Sequence, residues 1–202
     1  MMMSGRVIAV VGPSGVGKDS VMAGLAATLP KAHLVQRVIT RAKEAGGEPY
    51  HPVTDQEFDK LVARGAFCIH WRAHGLAYGI PRDLYDELAL GKDCLVNFSR
   101  TALEKAARLF PNFVILNITA APGTLAQRLS ARARESEDEI ARRLEKAVKT
   151  LPSHGDIRHV SNDGPLAETV ARAAQILAMP GPQRPLPGQT PCDAHAGKGT
   201  NP

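Results

Sequence analysis

Apolar residues along this chain follow two periods, and their alternation sets the expected architecture. Val7-Ile8-Ala9-Val10-Val11 is an unbroken apolar run of strand length. Cys94-Leu95-Val96-Asn97-Phe98 and Phe113-Val114-Ile115-Leu116-Asn117-Ile118 have the same character. Runs that are apolar at nearly every position suit strands covered on both faces, as in a parallel sheet between helices. Elsewhere the period lengthens. Met22, Leu25, Ala26 and Leu29 lie at helical spacing before Pro30, and Phe58, Leu61 and Val62 follow the capping box Thr54-Asp55-Gln56-Glu57. Pro81 is expected to open a helix through Leu84 and Leu88 that ends at Gly91, and Pro122 one that carries Leu125 and Leu129. A second capping box, Ser136-Glu137-Asp138-Glu139, precedes Ile140, Leu144, Ala147 and Leu151, and a last helix is expected over residues 165–177. Shorter strands are predicted over residues 34–39, 67–71 and 159–160, with a polar, glycine-rich loop over residues 40–52. Strands alternating with helices predict an α/β fold, a parallel sheet flanked by helices, in one domain over residues 5–179. Residues 180–202 are rich in Pro, Gly and small polar residues without apolar period and are expected to be a disordered tail.

Composition narrows the class without naming a function. At 202 residues, 44% hydrophobic and 22% charged, the chain has the make-up of a water-soluble domain, and its net charge of +5 suits anionic ligands. Nucleic acid is not an expected partner, because the cations are scattered and only 4% of residues are aromatic. Cys68, Cys94 and Cys192 share no metal or redox spacing, which predicts reduced thiols and a cytoplasmic setting. Met1-Met2-Met3 leads into no signal-like segment, and no run is long enough for a membrane span.

The chemistry is concentrated where the first strand ends. Gly12-Pro13-Ser14-Gly15-Val16-Gly17-Lys18-Asp19-Ser20 fits the P-loop pattern, glycine-rich between strand and helix, with one deviation. Such a loop turns backbone N–H groups toward phosphate oxygens, the helix start adds its positive dipole end, and Lys18 adds a full charge. Residues 12–20 are therefore the predicted ATP site, with Lys18 catalytic. Asp19 stands where a Ser or Thr usually offers a hydroxyl to Mg²⁺. Its carboxylate is a hard oxygen ligand that can hold Mg²⁺ directly or through water. Alternatively Asp19 complements the helix terminus, and Ser20 or water serves the metal.

Arg128, Arg132, Arg134, Arg142 and Arg143 flank the junction of two predicted helices. An arginine-rich helix alone is a solvated face. Beside a P-loop the same residues suit a mobile lid over residues 128–143, since phosphoryl transfer is catalysed by positioning and charge. Arg132 and Arg143 are its expected catalytic members.

Taken together, several segments resemble the guanylate kinase group of P-loop kinases. They are the P-loop, Thr40-Arg41, Phe67, His74-Gly75, Tyr78-Gly79, Arg128-Leu129, Arg132, Ile140, Arg143-Leu144 and Asn162-Asp163. The resemblance implies the nucleoside monophosphate kinase type of P-loop fold, with an acceptor-binding insert over residues 37–81. Guanylate kinases read guanine with acidic residues, and the matching places here hold Ile69 and Ser99. Arg37 stands where that group has a base-contacting Ser, and Ile80-Pro81 departs from it as well. An Ile cannot accept hydrogen bonds from a guanine edge, so the expected acceptor keeps a phosphate and lacks the base.

Gly17-Lys18-Asp19-Ser20, Ile39-Thr40-Arg41, the stretch from His70 to Pro81, and Val96-Asn97-Phe98-Ser99-Arg100 are similar to the ribose 1,5-bisphosphate phosphokinases of phosphonate catabolism. That resemblance implies ATP- and Mg²⁺-dependent phosphorylation of a small phosphorylated sugar to 5-phospho-α-D-ribose 1-diphosphate. Arg41 and Tyr78 are then expected to hold one phosphate and Arg37 the second, with His51, His70 and Asn97 as further acceptor contacts. His51, His70 and His74 are read as hydrogen-bonding or packing residues, because an ionised phosphate oxygen needs no general base. The alternatives are a nucleoside monophosphate kinase with altered base preference and a non-catalytic guanylate-kinase-like interaction domain.

Overall fold

A computed structural model of the chain describes residues 4–42, 49–130, 151–152 and 155–181. The predicted lid arginines Arg132, Arg134, Arg142 and Arg143, the second capping box, Cys192 and nearly all of the predicted tail lie outside these residues.

Five strands form a parallel sheet: β1 (Arg6–Val11), β2 (Ala32–Leu34), β7 (Asp93–Asn97), β8 (Phe113–Thr119) and β9 (Asp156–Ser161), in the order β2-β7-β1-β8-β9. The most apolar strand is the central one. Val7, Ala9 and Val11 project to one face and Ile8 and Val10 to the other, each 0–1% exposed. Helix α1 (Lys18–Thr28) and helix α6 (Leu166–Ala178) cover the second face through Met22, Leu25, Val170, Ala173 and Leu177. Helix α3 (Leu84–Ala89) and helix α4 (Leu103–Leu109) cover the first through Leu84, Leu88, Leu103 and Ala106. Helix α5 (Pro122–Ser130) follows β8, as the predicted Pro122 start requires.

A second sheet stands apart: β3 (Arg37–Ile39), β4 (Tyr50–Pro52), β5 (Phe67–Ala73) and β6 (Leu76–Pro81), in the order β4-β3-β6-β5. Helix α2 (Asp55–Ala63) packs on one of its faces through Phe58, which stacks on Phe67 at 4.9 Å between ring centroids. The capping box at Thr54 and Glu57 is formed as expected, with both reciprocal hydrogen bonds present.

Three expectations are corrected here. The strand predicted over residues 34–39 is two strands in different sheets, because the Val35 N–H donates to the Leu95 carbonyl while Arg37 pairs with Tyr50. The loop predicted over residues 40–52 ends in β4. Pro81 closes β6 rather than opening a helix, and α3 begins at Leu84. The β5–β6 hairpin turns at His74 and Gly75, whose φ angles are +52° and +74°, the left-handed pair that a two-residue hairpin demands. No helix among the described residues is long and apolar enough to cross a membrane.

Candidate active site

The P-loop lies at the carboxyl end of β1, where a doubly wound sheet places its ligands. Gly15 and Gly17 have φ of +79° and +88°, so both need the left-handed freedom of glycine. A Cβ on Gly17 would also lie 2.7 Å from Asn162 Nδ2. Lys18 Nζ donates to the Gly12 carbonyl at 3.0 Å and to the Pro13 carbonyl at 3.1 Å, which holds the ammonium over the loop.

Two residues from the far half of the chain complete this end of the site. Buried Asn162 donates from Nδ2 to the Val16 carbonyl at 2.7 Å, and Arg128 Nη1 reaches the same oxygen at 3.5 Å. Asp163 beside it accepts from the Ala121 N–H at 2.7 Å and from the Ser161 hydroxyl. Those hydrogen bonds, Ser161's first, hold the Asp163 carboxyl below its ordinary pKa. A cavity of about 370 Å³ opens between Gly15, Gly17, Ser20, Arg128, Asn162 and Leu166. Sequence reading matched Asn162 and Arg128 to a family pattern without giving them this role. No local signal tells that Asn162 is the buttress of Val16.

Asp19 is exposed in the first turn of α1, and its Oδ1 accepts from Asn97 Nδ2 at 3.3 Å. Asn97, predicted as an acceptor contact, is thus placed against the predicted Mg²⁺ ligand. A hard carboxylate at the mouth of a phosphate loop, held by an amide that cannot itself carry charge, fits a Mg²⁺–ATP ligand. No group of three or more His, Cys, Asp or Glu side chains able to hold a metal ion occurs among the described residues.

The second sheet turns its other face to this loop. Strand register puts Tyr50 beside Arg37, and Tyr78 opposite Trp71 and Ile39, all on the face away from Phe58. Arg37 is only 8% exposed, with its guanidinium carbon 5.0 Å from the centre of the Tyr78 ring. Burial lowers its pKa to about 10, against Tyr78 and Asp19, which favour the charge; Arg41 adds repulsion. Arg37 therefore remains a cation at neutral pH. Arg41 lies over Tyr50 at 4.5 Å, and the Tyr50 hydroxyl donates to the Ala42 carbonyl. Arg37, Arg41 and Tyr78 are brought together as the sequence predicts, and Tyr50 joins them from the stretch predicted as a loop.

The histidines are not brought there. His70 packs its ring 6.4 Å from Phe58 and 6.3 Å from Phe67, on the α2 side of the sheet. His51 pairs with Val38, whose side chain belongs to the same α2-side cluster. His74 sits at the exposed hairpin tip. The structure thus places His51 and His70, predicted as acceptor contacts, on the α2 side of the sheet and not beside Arg37 and Tyr78. A bulge between Phe67 and Ile69 turns Phe67 to His70's side, and strand alternation carries His70 away from the cleft. Ile69 is 1% exposed and packs with Ile80 in the core, while Ser99 bonds Thr101 at 2.8 Å in the 3₁₀ turn Arg100–Ala102. Burial pushes the thiols of Cys68 and Cys94 up to about 12, and neither is paired in a disulfide.

Comparison with known proteins agrees with this geometry. The guanylate kinase family model matches residues 4–178. The ribose 1,5-bisphosphate phosphokinase PhnN of Ruegeria sp. (strain TM1040) is 48% identical over 174 residues, covering 86% of this chain and 92% of the relative. The protein of the same name from Agrobacterium fabrum is 42% identical, covering 85% and 95%. Among solved structures, guanylate kinase from Anaplasma phagocytophilum superposes with a TM-score of 0.61 at 22% identity, over 86% of this chain and 84% of that one, which bears on the fold. A phosphate loop facing a second sheet, in a chain that the family model matches over residues 4–178 and that the two phosphokinases match over more than nine-tenths of their length, places this protein in the guanylate kinase family, with its ribose 1,5-bisphosphate phosphokinases.

Proposed function

We propose that this chain transfers the γ-phosphoryl group of ATP to the 1-phosphate of ribose 1,5-bisphosphate, giving ADP and 5-phospho-α-D-ribose 1-diphosphate. One observation of the site carries the reading. The second sheet presents Arg37 and Arg41 each on a tyrosine ring, and Arg37 feels the charge of Asp19 beside the P-loop. Cations with aromatic neighbours bind phosphate groups bidentately. The relatives' printed name supplies the sugar.

The bond from the γ-phosphorus to the ADP oxygen breaks, and a bond to an oxygen of the sugar's 1-phosphate forms. That oxygen is ionised at neutral pH, so no side chain need remove a proton. The task is to bring two polyanions together and to exclude water. Lys18 and the N–H groups of residues 14–17 hold the β- and γ-phosphates, and the cavity beside Asn162 and Arg128 seats the nucleoside. Asp19, steadied by Asn97, would hold Mg²⁺, which supplies charge neutralisation across the phosphate oxygens. Arg37 and Arg41 orient the acceptor, with Tyr78 beside them. Arg132 and Arg143 act as lid residues that reach the transferring group. The reaction is assigned to the cytoplasm.

Measuring kcat/KM with ATP, Mg²⁺ and each of ribose 1,5-bisphosphate, GMP and AMP tests the reading. The sugar bisphosphate should be preferred by orders of magnitude. A preference for GMP overturns it in favour of a nucleoside monophosphate kinase, and no turnover of any acceptor favours an interaction domain.

A further inference from the structure

Four side chains form a continuous stack across the acceptor cleft. The Arg37 guanidinium lies on Tyr78 at 5.0 Å. Tyr78 stacks on Trp71 at 5.4 Å with 8° between planes, and Trp71 stacks on Phe98 at 5.4 Å and 25°. Phe98 then meets Phe113 edge-on at 6.0 Å. The stack runs from the acceptor sheet to the end of β7, where Asn97 meets Asp19.

Stacking of a nucleobase needs an open ring face. Both faces of Trp71 are taken, and Tyr78 is faced by Arg37 and Trp71. The ring in the middle is the widest available, a planar bicycle close to a purine in size. It is kept there although its buried Nε1 has no hydrogen-bond partner among the described residues. A phenylalanine would carry no such penalty, so the width of the indole is what the position uses. Trp71 is itself only partly buried, so the slot it fills reaches the cleft.

We propose that Trp71 is a specificity-determining residue: its indole occupies, between Tyr78 and Phe98, the slot that a purine base would enter, and so reserves the cleft for an acceptor without a base. This deepens the functional reading above and rests on it. Removing the indole leaves two parallel ring faces separated by one planar ring.

The experiment measures binding of GMP, AMP, UMP and CMP by calorimetry, without ATP or turnover, to the full chain and to Trp71→Ala. The alanine variant should bind GMP and AMP about tenfold or more tightly than the parent, with a smaller gain for UMP and CMP. Free indole should compete with AMP for that variant and raise its melting temperature. Trp71→Phe, which keeps a ring but loses the width of the indole, should give a smaller gain in purine binding than the alanine variant. Trp71→Leu, which keeps an apolar side chain against the core cluster that Trp71 packs on, carries the same test if the alanine variant does not fold. Purine binding no tighter than the parent's in a folded variant, or equal gains for purines and pyrimidines, overturns the proposal. Failure of the parent to phosphorylate ribose 1,5-bisphosphate would instead overturn the functional reading and leave this comparison intact.

Discussion

Asp19 and Asn97 show how much a pair of residues decides. A carboxylate one residue after the P-loop lysine repels phosphate unless a cation lies between, and Asn97 fixes it without neutralising it. Asp19→Ala should therefore raise the Mg²⁺ concentration for half-maximal ATP binding, with partial recovery in Asp19→Ser. Asn97→Ala should shift it the same way by less, and should add little to Asp19→Ala, because both act through one contact. A Mg²⁺ titration unchanged in both single variants would leave Asp19 as a helix-end residue. At this scale the sequence was legible wherever chemistry is local. The loop glycines and Lys18 could be read from type and spacing, whereas Arg37 and Arg41 were reached only through the family resemblance. His70 could not, since the bulge at Cys68, which no residue type announces, puts Phe67 and His70 on one face where simple alternation from Phe67 would part them. Trp71 could not either, because its meaning lies in Tyr78 and Phe98, from other strands.

Among the elements, the loop-to-helix turn is the least forgiving. Gly17→Ala meets two penalties: a left-handed φ of +88° and a Cβ 2.7 Å from the Asn162 amide that supports Val16. Strain of this kind costs about 1–3 kcal/mol. The variant should lose several degrees of melting temperature and bind ATP more than about tenfold less tightly. Gly65→Ala is the control, with φ +67° and nothing within 4 Å of the new Cβ. It should show the strain alone and leave ATP affinity unchanged, as fluorescence melts and calorimetry would report. Long apolar strands and capped helices were legible because each carries its own period. Strands β2, β3 and β4 were not, being only three residues each, too short for alternation to accumulate. Strand β6 was hidden by Pro81, a residue equally at home ending a strand and beginning a helix.

Across the whole molecule, two arginines, buried Arg158 and half-buried Arg6, tie the ends of the fold together. Arg158 pairs with Asp156 at 2.8 and 2.6 Å and donates to the Ile176 and Met179 carbonyls, which holds the end of α6 against β9. Arg6 does likewise, pairing with Asp93 and donating to the Leu177 carbonyl. Arg158→Ala would leave two carbonyls and a partly buried carboxylate without their partner, at a cost of about 1–3 kcal/mol. A lower urea midpoint should be accompanied by a weaker grip on ATP, since Gly164 and Leu166, before and at the start of α6, line the cavity proposed for the nucleoside. A lower midpoint with unchanged ATP affinity would uncouple the clamp from the site. The Asn162–Val16 contact has a further consequence, in the order of synthesis. It joins residues 146 apart, and Asp93, the partner of Arg6 across β1, follows it by 87. On the ribosome, the phosphate loop and its apolar strand emerge long before either neighbouring strand, and longer still before the amide that supports the loop. A nascent chain cannot draw stability from cellular ATP while β1 is uncovered and Asn162 is not yet made, so nucleotide can support this loop only once nearly the whole fold has been synthesised.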